Sequence, residues 1–176
     1  MNGREAHLRR RQEDVAKLNE LATEFPGVLT VANTTGNPIT TVEIDLNLRT
    51  AKNAAFPRES QSTTRIQILL PTRYPFEAPV VHVRTPIYNP NIFPNGQVCL
   101  GKKWIPTENL ALFARRLMQI IALDPAVIDV NSPANGEAAR WYKAVLAASP
   151  TTFPTVALSS MRRGSAQKRI VWKSIT

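Results

Sequence analysis

An α+β fold is predicted for this 176-residue chain: an N-terminal helix, a four-stranded antiparallel meander sheet, an ordered loop and two C-terminal helices. Three observations predict it. Apolar residues recur at three- and four-residue spacing before Pro26-Gly27, at two-residue spacing from Ile39 to Leu48, and again at helical spacing in two stretches after Trp104. Between the strand-like runs lie turn-sized connections, which favour antiparallel pairing.

From about Arg4 to Phe25, Val15, Leu18, Leu21, Ala22 and Phe25 form one stripe of a helix, and Pro26-Gly27 stops it. Charged residues cover the rest. Among them Arg9, Arg10 and Arg11 read either as a wet helix face or as a partner-binding surface. Val28 to Val31 is a short strand, and Asn33 to Pro38 is a cluster of turn formers. Ile39 to Leu48 puts Val42, Ile44, Leu46 and Leu48 on one side and Glu43, Asp45 and Asn47 on the other, a half-buried strand. Thr50 to Ser60 is polar and reads as a loop. Thr63 to Leu70 and Val80 to Val83 are the third and fourth strands. Between them Pro71, Pro75 and Pro79 forbid a ladder and leave Tyr74 and Phe76 as packing anchors.

After the fourth strand, Pro90, Pro94 and Gly96 break any regular element from Tyr88 to Gly101, so this segment is an ordered loop. A helix follows from about Glu108 to Leu123, with Leu110, Phe113, Leu117, Ile120 and Ile121 as its apolar stripe. Pro106 or Thr107 suits its first turn, and Asp124-Pro125 ends it. Asn131 to Gly136 is a second ordered loop. Asn135 is placed to cap a last helix that runs to about Ala148, with Ala138, Tyr142, Val145 and Leu146 facing inward.

Composition bounds the function. A 43% hydrophobic fraction supports a real core in one domain. Cys99 is the single cysteine and His7 and His82 the only histidines, which excludes a disulfide framework and an ordinary zinc site and fits a reducing compartment. The residues around Arg9 do not resemble a signal peptide, and no run approaches a membrane span. A cytoplasmic protein without membrane association is expected. The net charge of +9 raises nucleic-acid binding. About half of that excess sits in the acid-free tail, on Arg162, Arg163, Lys168, Arg169 and Lys173. The core lacks aromatic residues interleaved with basic ones along strands, so nucleic acid is not the expected partner. The tail reads as solvated or as a docking arm.

The Tyr88–Gly101 loop carries the chemistry. A loop with a lone cysteine and side-chain amides is a place for nucleophilic catalysis. Tyr74-Pro-Phe-Glu-Ala-Pro79, Asn89-Pro90-Asn91, Gly96-x-Val98-Cys99-Leu100, Trp104-x-Pro106 and Asn131-Ser-Pro-Ala-Asn135 resemble, in order, five motifs of the ubiquitin-conjugating enzymes. The resemblance covers roughly residues 5 to 148. It implies a catalytic domain over residues 1–148, with a basic tail at 149–176.

That resemblance further implies an acyltransferase. Cys99 would accept a ubiquitin-like protein as a thioester from an activating enzyme and pass it to a target lysine. No cofactor would be needed, since ATP is used only by the activating enzyme. A thiolate both attacks and leaves well, so one cysteine serves both steps. Asn91 would donate to the oxyanion, or hold the loop, or both. Asn89 stands where the family has histidine and reads as structural. With Tyr88 and Pro90 it would support the loop. The incoming lysine would be oriented by Asp129 or by Ser132: the motif favours Ser132, and charge favours Asp129. Phe76 and Pro106 stand where relatives dock a ligase, and the arginines Arg9, Arg10 and Arg11 where they meet the activating enzyme.

Several departures accompany this resemblance. The Cys-to-Trp interval is about three residues short, the stretch from Asp124 to Ser132 is longer than usual, and the family's final helix is missing or replaced by the basic tail. Such features are similar to divergent prokaryotic members, some of which serve in antiphage defence. A non-catalytic binding module of the same fold, a basic nucleic-acid-binding protein and an adaptor with an incidental buried cysteine are the rival readings.

Overall fold

Helix α1 spans Gly3–Glu24 in the computed structural model, which describes residues 3–154. The basic tail with Arg162, Arg163, Lys168, Arg169 and Lys173 lies outside the described residues. Leu18, Leu21 and Phe25 are buried as the stripe requires. Strand β1 is Leu29–Thr35, β2 Thr41–Leu46, β3 Thr50–Ala51, β4 Ser60–Gln61, β5 Thr64–Leu69 and β6 Val80–Val83. The main sheet has the order β1-β2-β5-β6, antiparallel throughout. Its inner face is the alternating set Val42, Ile44, Leu46, Ile66 and Ile68, all fully buried. Each such side chain contributes about 1.5–3 kcal/mol. On the outer face Arg65 grips its register partner Asp45 with two bonds of 2.7 Å.

Two expectations are corrected here. Strand β1 runs four residues beyond Val31, because Asn33, Thr34 and Thr35 pair with Glu43, Val42 and Thr41 after a bulge. Turn-forming side chains concealed a ladder set by the neighbouring strand. Thr50 to Ser60 is not a plain loop. Strands β3 and β4 pair at its ends, and Phe56 between them is buried.

Helix α2 is Leu110–Ile121 and packs against α1. Its expected stripe is buried. It starts later than Pro106 or Thr107, because the Asn109 carboxamide accepts the Leu112 amide at 3.0 Å and so caps the helix. Helix α3 is Gly136–Ala148, and the Asn135 cap is as expected, accepting the Ala138 amide at 3.0 Å. The chain beyond α3 stays in contact with it: Phe153 is buried, stacks on Tyr142 at 4.2 Å and lies 6.0 Å from Phe56.

The proline-rich bend is tied to α1 by a buried polar cluster. The Tyr74 hydroxyl donates to Asp14, which also accepts from Arg10 Nε at 2.8 Å. Burial, then the hydrogen bond to the Asp14 carboxylate, raises the Tyr74 pKa. Burial does the same to Tyr142, with Asp124 adding to it. A phenol whose folded pKa is raised contributes stability in full below its unfolded value, about 10. That contribution falls as pH climbs past it, by about 1.4 kcal/mol per pH unit for each tyrosine. The thermal midpoint, followed by circular dichroism, is therefore expected to be insensitive to these two groups up to about pH 9 and to drop above about pH 10. Tyr74→Phe should shrink that alkaline slope, and an unchanged slope would exclude Tyr74 as its source.

Candidate active site

The loop after β6 is held by short amide side chains. Asn89 is fully buried. Its Oδ1 accepts the Asn91 amide at 2.9 Å, and its Nδ2 donates to the Ile120 carbonyl of α2 at 2.7 Å. The Pro90 carbonyl accepts the Asn135 amide at 3.0 Å, so the same turn is fixed to the start of α3. Tyr88 donates its amide to Ala51 of β3 at 2.8 Å and lays its ring 5.2 Å from Trp141. Burial, with the Glu137 carboxylate nearby, raises its hydroxyl pKa.

From Ile92 to Val98 the chain folds into a tight hairpin. These two residues bridge, and Phe93 donates to Gln97 at 2.9 Å. Gly96 takes φ +86°, and a Cβ there would lie 2.8 Å from the Val83 carbonyl, so only glycine fits this approach to β6. The hairpin hydrogen-bonds to β6 through Gly96 O and the Val98 amide. It delivers Cys99, a free and half-exposed cysteine, to its end.

Asn91 is buried against that cysteine. Its carbonyl accepts the Cys99 amide at 2.7 Å, and its Nδ2 donates to the Cys99 carbonyl at 3.1 Å and to Val127 O at 3.4 Å. Its Oδ1 accepts the Asp129 amide at 2.9 Å. Asp129 is half-exposed, and its Oδ1 accepts the amides of Asn131 and exposed Ser132 at 3.0 and 2.8 Å. Cys99, Asn91 and Asp129 are thus one bonded unit, with Ser132 on the turn that Asp129 caps. His7 Nδ1 donates to the Tyr74 carbonyl at 3.1 Å. His82 lies on β6, and its backbone forms an isolated bridge with Gln97.

The arginine triplet is not a uniform docking face. Arg11 is 3% exposed, and its guanidinium donates to the carbonyls of Ile39, Leu70, Pro71 and Thr72. Arg10 holds Asp14 and the carbonyls of Pro106 and Glu108. Both are staples, because backbone oxygens freed by the prolines need donors. Arg9 is exposed and pairs only at the surface, with Glu13 at 3.2 Å. Phe76 is 63% exposed, against His7. Pro106 is exposed beside Ile105, which sequence reasoning missed although Trp104-x-Pro106 frames it. Trp104 donates to the Pro75 carbonyl at 2.7 Å and so brings this loop to the bend. The other residue missed is Arg116, which lies off the apolar stripe of α2 and donates from Nε to the Leu100 carbonyl at 2.6 Å.

The ubiquitin-conjugating enzyme family model matches residues 47–149. Ubiquitin-conjugating enzyme E2 T of Bos taurus is 32% identical over 99 residues, covering 50% of each chain. NEDD8-conjugating enzyme Ubc12 of Dictyostelium discoideum is 31% identical over 111 residues, covering 61% of this chain and 45% of that protein. The chain spans about half the length of these curated relatives. The solved structure of human ubiquitin-conjugating enzyme E2 G1 superposes with a TM-score of 0.51 at 18% identity, over 65% of this chain and 96% of the other. That likeness concerns the fold alone.

Proposed function

The chain belongs to the ubiquitin-conjugating enzyme family, and on that premise we propose that Cys99 carries a ubiquitin-like modifier as a thioester and transfers it to a lysine amine. In the first step the Cys99 thiolate attacks the modifier's C-terminal carbonyl on an activating enzyme. A new C–S bond forms, and the partner's thiol leaves. In the second, the amine attacks that carbonyl, the C–S bond of Cys99 breaks, and the thiolate leaves as the amine gives up its proton. ATP is consumed by the activating enzyme alone, and no cofactor of this chain takes part. The observation that supports the reading most is that the single cysteine is half-exposed with its peptide fixed on both sides by Asn91.

Asn91 is first a brace in this proposal. To serve the oxyanion as well, Nδ2 gives up Val127 O, the longer of its two bonds. One such donor lowers a barrier by about 3–4 kcal/mol. We assign the orientation of the lysine to Asp129, because its amide is bonded to Asn91 and its carboxylate still has Oδ2 outside the turn. Asp129→Ala is expected to slow discharge to free lysine roughly tenfold, about 1.4 kcal/mol, while Ser132→Ala stays near wild type. Equal wild-type rates for both variants would remove the assignment.

Phe76, Ile105 and Pro106 form the surface proposed for a ligase, and Arg9 is the exposed arginine of the triplet left for the activating enzyme. A prokaryotic setting and a use in antiphage defence belong to the same proposal, supported by the shortened Cys-to-Trp interval and by Asn89 in place of histidine. Among the described residues no helix is long and apolar enough to cross a membrane. A reducing cytoplasm is the proposed site of action, since Cys99 must stay a thiol. The test is to mix the purified chain with activating enzyme, modifier and ATP and run a non-reducing gel. A band heavier by one modifier, lost on adding reductant, is expected; its absence with a partner set that loads a known conjugating enzyme defeats the proposal.

A further inference from the structure

We infer that Arg116 is a positioning residue for the reacting sulfur, acting through the peptide that follows Cys99. The inference rests on the thioester reading above. Two successive carbonyls after the sulfur are each held by a side chain from a different part of the chain. Asn91 Nδ2 holds Cys99 O at 3.1 Å, and Arg116 Nε holds Leu100 O at 2.6 Å. The next residue, Gly101, takes φ +65°, and a Cβ there would come within 3.4 Å of Arg116 Nη2, so the guanidinium lies along the turn. Neighbouring charges on this face are spoken for: Arg115 pairs with Glu24 and Lys102 with Glu108, each at 2.6 Å. Arg116 instead spends its Nε on a neutral backbone oxygen beside the nucleophile. The planar guanidinium donates this one short bond along the turn, and so holds the Leu100 carbonyl in place.

The consequence for chemistry is geometric. A thioester presents its carbonyl to an amine along one line, and a misplacement of about 1 Å can lower the rate by as much as about 100-fold. Without Arg116 the Leu100 carbonyl has lost this donor, and rotation of that peptide carries Cys99 with it. Arg116 also lines the open groove of about 410 Å³ that Lys102, Ile105, Leu112 and Gln119 share. It therefore joins the reactive turn to a surface next to it.

The test uses the full chain as wild type, Arg116→Ala and Arg116→Lys. Each is loaded with modifier, and single-turnover discharge is followed over a range of free lysine concentrations. All three are expected to load. The Arg116→Ala rate constant at saturating lysine is expected to fall roughly tenfold with the half-saturating concentration unchanged, and Arg116→Lys, which keeps a cationic donor, to recover part of the loss. A rate within twofold of wild type, a loss confined to half-saturation, or no recovery with lysine overturns the inference. In a partner-free arm, Cys99 is alkylated with iodoacetamide across pH. Arg116→Ala is expected to alter that rate below its unfolding range, and an identical profile overturns the inference. Should the wild type fail to load, the thioester reading fails by itself, and the alkylation arm still decides for or against Arg116. If Arg116→Ala does not fold, Arg116→Gln takes its place in both arms, with Arg116→Lys again as the recovery variant and the same criteria.

Discussion

Cys99→Ala is expected to leave no modifier adduct at all, and Cys99→Ser to give one that survives reductant. Alanine removes the only sulfhydryl in the chain, so no second cysteine is available to substitute. Serine keeps the shape but forms an oxygen ester, which thiols do not exchange. Its hydroxyl is hardly ionised near neutral pH, so loading should be slow. Neither change touches what fixes this residue. Those bonds use its amide and carbonyl, to Asn91, and the side chain is half-exposed. Stability should therefore stay within about 0.5 kcal/mol of wild type. Reducing and non-reducing gels, read beside a thermal melt, check both halves. An adduct of any kind on the alanine variant, which has no thiol, would place the reacting group elsewhere and end the proposal.

Arg11→Ala is expected to cost about 1.5–3 kcal/mol of folding stability, the range for hydrogen bonds made by a charged donor to buried acceptors that are then left unsatisfied. Against a typical total of about 5–15 kcal/mol, that is a large share of the margin. The loss comes from the partners as much as from the arginine. The carbonyls of Ile39, Leu70, Pro71 and Thr72 lose a donor, and the prolines of the bend have no amides to replace it. Arg9→Ala, two residues away but exposed, should stay within about 0.5 kcal/mol. Urea denaturation of the two variants side by side makes the comparison. Equal midpoints would mean that the buried guanidinium contributes nothing net.

The contrast between Arg9 and Arg11 shows where sequence reading stops. A helical stripe announces which residues are apolar, and Leu18, Leu21 and Phe25 duly face inward. A charge off the stripe gives no sign of a partner sixty residues away, and the acceptors of Arg11 near Pro71 are at that distance. The same limit hid Arg116, whose partner is Leu100. The two-residue period exposed Val42, Ile44 and Leu46, but strands β3 and β4 are too short to show any period. Asn135 was legible as a cap, because nothing nearby competed. Asn109 was hidden by Pro106 and Thr107, which carry the same signal one turn earlier. At the candidate site, the interval from Asn91 to Cys99 was readable because both belong to one hairpin. Asp129 and Ser132 stayed open in the sequence, because they share one turn, in which Asp129 Oδ1 accepts the Ser132 amide.

Asn89 has one more implication. A carboxamide has no proton to gain or lose in the range where imidazole titrates, near pH 6.5. The clamp from Ile120 through Asn89 to Asn91 is therefore deaf to acidification between about pH 5 and 8. In the proposed reaction, acidity would act through the sulfur, the attacking amine, the Asp129 carboxylate or the docked proteins, and not through this clamp.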